Sequence, residues 1–448
     1  MGHERGAPVR LQVNDILHAV EARIPVGSPS VEFEGASIDS RAIVPGSIFV
    51  GLRGETQDGG MFAWDALRAG AAAAVVSESS WMWIEGDVLS LGKPVILAKD
   101  PLAALQAAGR IGLERLGAKV IAVTGSTGKT TTKDILVSML RAAGVRAEGT
   151  PGNMNTDIGV PMALLGLPEG TEVAVVEMGM RGIGQIADLA ALAPPDVACI
   201  TAIAPVHLEL LGTMEAIAAS KAEILGALRP GGTAVVPRGE PLLEPFIAAL
   251  AEGVSVVRFG GEEAANLGLD LNLAKGWQLQ NAAAALECCR AVGHAPAPGT
   301  RIEVELSALR GQERPLAGGG TLIEDCYNAN PVAMEAALSD LCARAGRRVA
   351  VLGDMRELGA DEARFHREVG AQAAAMGVDL LVAVGESARG YVEGANGSVS
   401  VEHFATVEEA ITGIPPLLRP GDTVLLKASR GMALERIGRA LAPSGGVQ

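Results

Sequence analysis

Short, continuous apolar runs alternate with helix-length segments along most of this 448-residue chain. The runs are rich in Val, Ala, Ile and Leu and contain few polar residues, which is typical of strands buried on both faces of a parallel sheet. The middle of the chain has four such runs: KVIAVTG (119–125), EVAVVEMG (172–179), DVACITAIA (196–204) and GTAVVP (232–237). We therefore predict an α/β protein whose central part is a doubly wound parallel sheet.

The same alternation divides the chain into three predicted domains. Strands in SIFVGL, AAAAVV and KPVIL indicate a small α/β unit over residues 1–98. The helical pattern PLAALQAAGRIGLERLG opens the central domain, which we place at residues 99–309. Further strands in GTLIEDC, RRVAVLGDM, DLLVAVGE and DTVLLKAS predict a Rossmann-like domain over residues 310–448.

The composition limits the classes of partner that the protein is expected to bind. A formal net charge of -15 disfavours nonspecific binding to nucleic acid or to an anionic membrane. The five cysteines form no C-x-x-C pair, which favours reduced thiols and disfavours a metal–thiolate site. The beginning of the chain has no apolar signal core, and we find no apolar run of the roughly 18 residues that a membrane span requires. We expect a cytoplasmic protein without a membrane span.

The stretch TGSTGKTTTK (124–133) follows a predicted strand and precedes a predicted helix. It matches the phosphate-binding loop G-x-x-x-x-G-K-[ST] except that Val123 replaces the first glycine. Glycines let backbone N–H groups approach phosphate oxygens, Lys129 would reach the β- and γ-phosphates, and the Thr130 hydroxyl would hold Mg²⁺. An ordinary glycine turn is the alternative. The predicted ATP-binding loop comprises Gly125, Ser126, Thr127, Gly128, Lys129, Thr130 and Thr131.

Polar residues follow the next two predicted strands. Glu177 ends one of them at the edge where open parallel sheets bind ligands, and a carboxylate there is a natural ligand for Mg²⁺. His207 follows the other strand, although a lone histidine is more often a packing or surface residue. Lys221 lies on a predicted helix and by itself would be interpreted as a solvated side chain.

Four segments in this order, TGSTGKTT, VVEMGM, HLELLG and SKAEI, resemble the ATP-dependent Mur ligases of peptidoglycan synthesis. That family uses the shorter loop T-G-x-x-G-K-T, which accounts for Val123. The resemblance implies a three-domain architecture with a central P-loop ATPase domain and a C-terminal Rossmann-like domain. It also implies two Mg²⁺ ions, with Thr130, Glu177 and His207 as ligands together with Lys221 as a carbamate.

Further segments resemble the branch of the family that joins D-alanyl-D-alanine to UDP-N-acetylmuramoyl-tripeptide (UDP-MurNAc-tripeptide). These segments are SIDSRAIVPGSIFVGLRGE (37–55), TPGNMNTDIGVPMALL (150–165), EDCYNANPVAM (324–334), VLGDMRELG (351–359) and LLKASRGMALERI (425–437). The implied division of labour places the UDP-sugar in the first domain, ATP in the second and the incoming dipeptide in the third.

The resemblance extends to individual residues. It implies that Lys129, Lys221, His207 and Arg310 are catalytic and that Arg310 contacts phosphate. The other implied ATP contacts are Asn281, Asp325, Tyr327 and Asn328. The implied substrate contacts are Ser40, Arg41, Asn153, Asn155, Thr156, Asp157, Ser429 and Arg430. Many of these residue types also serve as helix caps and turns, which is the structural alternative for each.

The chain departs from the family pattern in two motifs. Trp277 and Gln278 replace the His and Asn of G-x-H-N-x-x-N-A before Asn281, in the segment that is predicted to contact the adenine. Gly60 replaces the His of D-G-H-x-F, in the segment that is predicted to contact the uracil.

The implied reaction activates the tripeptide carboxylate as an acyl phosphate, which the amine of the dipeptide then attacks. We expect the protein to be a monomer that acts on these small molecules. A related ligase that adds the third, diamino acid residue is the nearest alternative, although its usual D-N-P-[RK] tetrapeptide is absent. A simple P-loop kinase or ATPase would leave Lys221 and the third domain without a role. A nucleotide-regulated binding protein would tolerate the loss of Lys221.

Overall fold

The computed structural model describes residues 6–261, 266–273 and 277–442, with the exception of the Trp277 side chain. Three sheets, of five, six and six strands, follow one another along the chain, and two small two-stranded sheets accompany them. Within the described ranges, no helix is long and apolar enough to cross a membrane.

The first sheet has the order β2-β7-β6-β5-β4, and β2 is antiparallel to β7 while the other neighbours are parallel. The predicted strands correspond to β5, β6 and β7. The elements of this unit are β1 (Arg10–Gln12), α1 (Val13–Ala19), β2 (Ala22–Val26), β3 (Glu32–Glu34), β4 (Ala36–Ser37), β5 (Ile48–Val50), α2 (Ala63–Arg68), β6 (Ala73–Val76), α3 (Glu78–Leu89) and β7 (Val95–Ala98).

Helix α4 (Pro101–Leu116) connects the first sheet to the second. Asp100 caps its N-terminus by accepting a hydrogen bond from Leu102 N at 2.9 Å, and proline suits the first helical position because it lacks an N–H. Leu105 packs into the core of the first sheet, whereas Leu113 packs into the core of the second. Because α4 contributes to both cores, the boundary at residues 98 and 99 stays a prediction.

The second sheet is entirely parallel and has the order β13-β12-β11-β8-β10-β9. The four strands predicted here are confirmed as β8, β10, β11 and β12. The elements are β8 (Lys119–Thr124), α5 (Lys129–Ala142), β9 (Ala147–Gly149), α6 (Gly159–Leu165), β10 (Val173–Glu177), α7 (Gln185–Leu192), β11 (Val197–Ile200), α8 (Leu208–Leu211), α9 (Met214–Gly226), β12 (Thr233–Pro237), α10 (Glu244–Ala248), β13 (Ser255–Phe259), β14 (Asp270–Leu271), α11 (Trp277–Ala291) and β15 (Arg301–Ile302).

Both faces of this sheet are covered, which explains the continuous apolar runs. Along β8, Ile121 and Val123 belong to one buried core, and Val120 and Ala122 belong to the core on the opposite face. The register pairs Glu177 with Val123 and Ile200 with Thr124. The carboxyl ends of β10, β8 and β11 therefore meet at one edge of the sheet.

The third sheet has the order β16-β17-β21-β18-β19-β20, and only β16 is antiparallel to its neighbour. The predicted strands correspond to β17, β18, β19 and β21. The elements are β16 (Gln312–Pro315), β17 (Gly320–Glu324), α12 (Pro331–Cys342), β18 (Arg348–Gly353), α13 (Glu362–Ala375), β19 (Leu380–Val384), α14 (Arg389–Ala395), β20 (Ser400–Phe404), α15 (Val407–Gly413), β21 (Asp422–Lys427) and α16 (Glu435–Leu441).

Candidate active site

The phosphate loop lies between β8 and α5, at the edge where the carboxyl ends of three strands meet. Gly125 and Gly128 adopt φ values of 148° and 80°, which non-glycine residues rarely adopt. A Cβ on Gly125 would collide with the Thr201 hydroxyl, and one on Gly128 would collide with the Asn281 side chain. The loop conformation therefore requires glycine at both positions.

Thr201, at the end of β11, fixes the loop from the neighbouring strand. Its Oγ1 donates to the carbonyl oxygen of Thr127 at 2.5 Å, and Ser126 Oγ donates to the carbonyl oxygen of Ala204 at 3.0 Å. Ser126 N donates to the carbonyl oxygen of Ala202 at 2.8 Å. These bonds hold the loop against the segment that leads to His207.

Lys129 begins α5, and its Nζ donates to the carbonyl oxygen of Gly125 at 2.7 Å. Burial lowers the pKa of Lys129, nearby Glu177 opposes that shift, and Arg310 adds to it. Lys129 is therefore near both a carboxylate and a second cation.

Arg310 approaches the loop from the other side. Its Nη2 donates to Thr130 Oγ1 at 3.1 Å, and its guanidinium carbon lies 3.8 Å from the centre of the Tyr327 ring. Its Nε is buried and has no hydrogen-bond partner among the described residues. Arg310 therefore retains a buried donor next to the phosphate loop. Thr131, the next residue of the predicted set, is buried in α5.

Glu177 ends β10 and is only 2% exposed. Asn155 Nδ2 donates to Glu177 Oε1 at 2.7 Å, whereas Oε2 is buried and has no hydrogen-bond partner within the described ranges. An unpaired buried carboxylate oxygen is costly, so this atom is suited to bind a cation.

His207 lies between β11 and α8 in a left-handed conformation, with φ at 55°. Its Nδ1 is 2.5 Å from Oε2 of Glu357, a residue of the third unit. Burial lowers the pKa of His207, Lys221 and Lys129 lower it further, and Glu357 opposes them. The neutral imidazole, which can serve as a metal ligand, is therefore favoured.

Lys221 lies on α9 and is only 2% exposed, in contrast to the solvated side chain that its sequence context suggests. Its side chain forms no ion pair or hydrogen bond with any other described residue. Burial and the charge of Lys129 lower its pKa well below the usual value. A buried, unpaired amine is rare in proteins and indicates a chemical role.

Glu223, two residues after Lys221, joins α9 to the loop that follows Glu177. Its Oε1 accepts a hydrogen bond from Gly184 N at 2.7 Å, and its Oε2 accepts one from Ala187 N at 3.1 Å. Sequence reasoning missed both Glu223 and Glu357. Each lies inside a segment on which the family resemblance was based, SKAEI and VLGDMRELG, but no local pattern marks either of them.

At the predicted adenine side, Asn281 is 8% exposed and its amide packs against Gly128. Gln278 is also buried, and its Oε1 has no hydrogen-bond partner among the described residues. The Trp277 side chain, the other departure noted above, lies outside the described residues.

The remaining predicted nucleotide contacts lie in the third unit, where Lys427 organises two of them. Lys427 Nζ pairs with Asp325 Oδ2 at 2.7 Å and donates to the carbonyl oxygen of Asn328 at 3.2 Å. The ring of Tyr327 contacts Arg310, which in turn bonds to Thr130.

The two predicted substrate residues of the third unit form their side-chain contacts within that unit. Ser429 Oγ accepts a hydrogen bond from Arg356 N at 2.9 Å. Arg430 pairs with Glu435 Oε1 at 2.8 Å and remains half-exposed.

The substrate residues of the first and second units are more exposed. Arg41 is exposed and its guanidinium folds onto Asp39, with bonds of 2.9 and 2.8 Å, and Ser40 between them is partly buried. In the segment before α6, Asn153, Thr156 and Asp157 are exposed. Of the predicted substrate residues, Asn155 is the one whose side chain joins the cluster around Glu177.

Gly60, where relatives often have histidine, is closely packed. A Cβ at this position would collide with the Ser80 side chain, and Gly60 N donates to Asp58 Oδ1 at 3.0 Å. A histidine would fit here only if Ser80 moved.

Comparison with known protein families accounts for this arrangement. The Mur ligase middle domain matches residues 123–307, the Mur ligase glutamate ligase domain matches residues 310–430, and the Mur ligase family catalytic domain matches residues 32–108. The UDP-N-acetylmuramoyl-tripeptide–D-alanyl-D-alanine ligase of Bacillus subtilis is 34% identical, over 97% of this chain and 99% of its own length. The chain belongs to the Mur ligase family.

Solved structures agree with the family. A crystal structure of MurF from Acinetobacter baumannii superimposes with a TM-score of 0.83 at 27% identity, covering 97% of this Mur ligase and 99% of that chain. MurF ligase from Thermotoga maritima in complex with ADP superimposes with a TM-score of 0.73 at 26% identity, over 91% and 97% of the two chains. The predicted α/β fold with the three-domain Mur ligase architecture is therefore confirmed.

Proposed function

We propose that this Mur ligase joins D-alanyl-D-alanine to UDP-MurNAc-tripeptide at the expense of ATP. The products are UDP-MurNAc-pentapeptide, ADP and phosphate, and the reaction belongs to the cytoplasmic synthesis of peptidoglycan precursors. Relatives that carry the name of this ligase match the chain over nearly its whole length. The observation that carries the proposal is the buried cluster of Lys129, Glu177 and Lys221 at one edge of the central sheet.

The chemistry must make a carboxylate into an acyl donor. A carboxylate oxygen of the tripeptide attacks the γ-phosphorus of ATP, the bond to the β-phosphate oxygen breaks, and an acyl phosphate and ADP form. The amine of the dipeptide then attacks the acyl carbon, and phosphate leaves as the amine proton is lost. The protein supplies no nucleophile.

Two cations next to the phosphate loop fit the transfer step. Lys129 and the spare donor of Arg310 would stabilise negative charge on the transferring phosphoryl group, where catalysis of this kind mostly resides. Lys129 bonds to the carbonyl oxygen of Gly125 in the free protein, and we expect it to exchange this bond for one to a phosphate oxygen.

The residues present fit Mg²⁺. The described part of the chain has no cluster of three or more His, Cys, Asp or Glu side chains that could hold a metal by themselves. The unpaired Glu177 Oε2, the Thr130 hydroxyl and the imidazole of His207 would therefore act together with phosphate oxygens of the nucleotide. Bound Mg²⁺ would neutralise phosphate charge.

Lys221 fits a role as a carbamate. Its buried amine has a lowered pKa, so a neutral nitrogen is available to form an N–C bond with CO₂ while one N–H proton is released. The product is an anionic oxygen ligand, which suits a second Mg²⁺ near Lys129 and His207.

Residues outside this cluster are proposed to bind the substrates and the adenine. Arg41 and Ser40 lie after β4 in the unit proposed to bind the UDP-sugar, and the exposed segment 153–157 borders the cluster through Asn155. Asn281 would contact the adenine, and Ser429 and Arg430 would contact the dipeptide.

The test is a phosphate-release assay with UDP-MurNAc-tripeptide or UDP-MurNAc-dipeptide, each with and without D-alanyl-D-alanine. We expect phosphate release only with the tripeptide and D-alanyl-D-alanine together, with pentapeptide formed in equal amount. Release that is independent of D-alanyl-D-alanine would contradict the proposal. A further sample with UDP-MurNAc-dipeptide and a diamino acid tests the alternative, because turnover there would indicate the preceding ligase.

A further inference from the structure

Glu357 has no role in the function proposed above, yet it reaches the catalytic cluster from another unit. It lies on the turn after β18, and its Oε2 is 2.5 Å from His207 Nδ1. We propose that Glu357 is a positioning residue that holds Nδ1 of His207 and leaves Nε2 as the metal-binding nitrogen. Because Glu357 belongs to the third unit, this contact also makes the metal site depend on where that unit sits. The inference rests on the proposed function.

The neighbouring residues show that the contact is not an isolated pair. Leu208 packs against the core of the third unit. A Cβ placed on Gly359 would lie 3.3 Å from Glu209 Cα, so the two backbones approach closely there. The segments 207–209 and 357–359 therefore lie against each other along their length.

Both partners have an unusual backbone conformation. His207 has φ at 55° and Glu357 has φ at 66°, and they are two of five non-glycine residues with positive φ in the described chain. Such residues persist only where their surroundings enforce them, and they cluster at functional sites. Here two of them face each other across one contact.

Hydrogen bonds fix the two residues just before Glu357. The fully buried His366 accepts a hydrogen bond from Met355 N at Nε2 and bonds to the carbonyl oxygen of Glu362 at Nδ1, at 3.0 and 2.7 Å. Arg356 N donates to Ser429 Oγ at 2.9 Å. The carboxylate of Glu357 is therefore presented to His207 by a rigid turn.

The chemistry of imidazole explains why the contact between Glu357 and His207 affects metal binding. A neutral histidine has one N–H and one unprotonated nitrogen, and the partner of the N–H decides which nitrogen can bind a metal. The ring of His207 is near Glu357 but not aligned with it, since Nδ1 has no well-directed hydrogen bond within the described ranges.

The first test compares Glu357→Ala and Glu357→Gln in the full-length enzyme. We expect Glu357→Ala to raise the Mg²⁺ concentration for half-maximal ligation about tenfold, with the KM for UDP-MurNAc-tripeptide unchanged. Glu357→Gln should have a smaller effect, because its amide oxygen can still accept the N–H. The matched control is Glu368→Ala, which removes an exposed carboxylate of α13 that pairs with Arg364.

The second test does not depend on activity. ¹⁵N NMR of the histidine rings, with His207→Gln to assign the signals, reports which ring nitrogen carries the proton. We expect protonated Nδ1 in the wild type and a loss of this preference in both variants, more in Glu357→Ala. Unchanged His207 ring shifts in Glu357→Ala would overturn the inference, as would an unchanged Mg²⁺ requirement in an enzyme that ligates. A wild type that fails to ligate would contradict the proposed function only, because the ring shifts still decide the role of Glu357.

Discussion

At the scale of single residues, Lys221 has an environment that its residue type and sequence context do not predict. Lysine on an amphipathic helix normally extends its amine into water, and burial of an unpaired ammonium ion is unfavourable. Lys221 is nevertheless 2% exposed, and burial together with the charge of Lys129 lowers its pKa well below the usual value. Conversion of the amine to a carbamate would replace the repulsion from Lys129 with attraction.

Replacement of Lys221 tests that interpretation. We expect Lys221→Ala to lower the rate of ligation by about 100-fold or more, because an anionic ligand next to the transferring phosphoryl group is lost. A short-chain carboxylate such as acetate should restore part of the rate. The control is Lys99→Ala, which removes an exposed amine paired with Glu21. Intact ligation by Lys221→Ala would contradict the carbamate.

The cysteines allow a second prediction at this scale. Burial raises the pKa of Cys289 and Cys326 to about 12, and a side-chain hydrogen bond with Cys199, together with burial, raises that of Cys288. Burial raises the pKa of Cys342 too, but Cys342 is partly exposed, whereas the other four cysteines are buried. Because a thiol reacts as its thiolate, the folded protein should show one fast-reacting thiol at neutral pH and five after unfolding. Titration with a chromogenic disulfide measures both numbers. Loss of the fast thiol in Cys342→Ser would identify it.

At the scale of elements, α7 depends on a cap from another helix. Its N-cap residue, Gly184, has no side chain, and Glu223 of α9 accepts hydrogen bonds from the first turn instead. Since an acceptor at a helix N-terminus stabilises it, Glu223 also holds the loop after Glu177 in place.

Removal of this cap should therefore destabilise the protein. We expect Glu223→Ala to lower the free energy of unfolding of the central unit by about 0.5–2 kcal/mol, measured by urea denaturation. Glu223→Gln retains one oxygen acceptor and should cost less. The exposed Glu252 provides the control, because Glu252→Ala should leave stability within about 0.5 kcal/mol. Equal stability of the three variants would argue against the cap.

The strands of the central sheet were predictable where both faces are buried. β8, β10, β11 and β12 consist almost wholly of buried apolar residues, which the sequence displays directly. The edge strands β9 and β13 were missed, because β9 has three residues and β13 is largely exposed. Edge strands bury only part of their surface, so their sequences carry a weaker pattern.

At the scale of the whole molecule, the residues of the proposed active site come from two units. Lys129, Glu177 and Lys221 belong to the central unit, and Glu357 reaches His207 from the third. An acyl phosphate must be protected from water, and closure of one unit over another achieves this in many enzymes.

Closure should be measurable in solution. We expect small-angle scattering to show a smaller radius of gyration when a nonhydrolysable ATP analogue and UDP-MurNAc-tripeptide are both present than when neither or only one is. The reason is that contacts to both ligands favour the arrangement in which the units approach each other. An unchanged radius at saturating concentrations of both would count against closure.

The sequence by itself determined the α/β class, the main buried strands and the phosphate loop. These features are local, because a strand buried on both faces is a continuous apolar run and the positive φ angles of the loop fall on the glycines Gly125 and Gly128. The tertiary structure alone decided that Lys221 is buried, that Glu177 retains an unpaired oxygen and that Glu357 meets His207. Burial and pairing depend on residues far apart in the chain, and no local pattern encodes which of them come together.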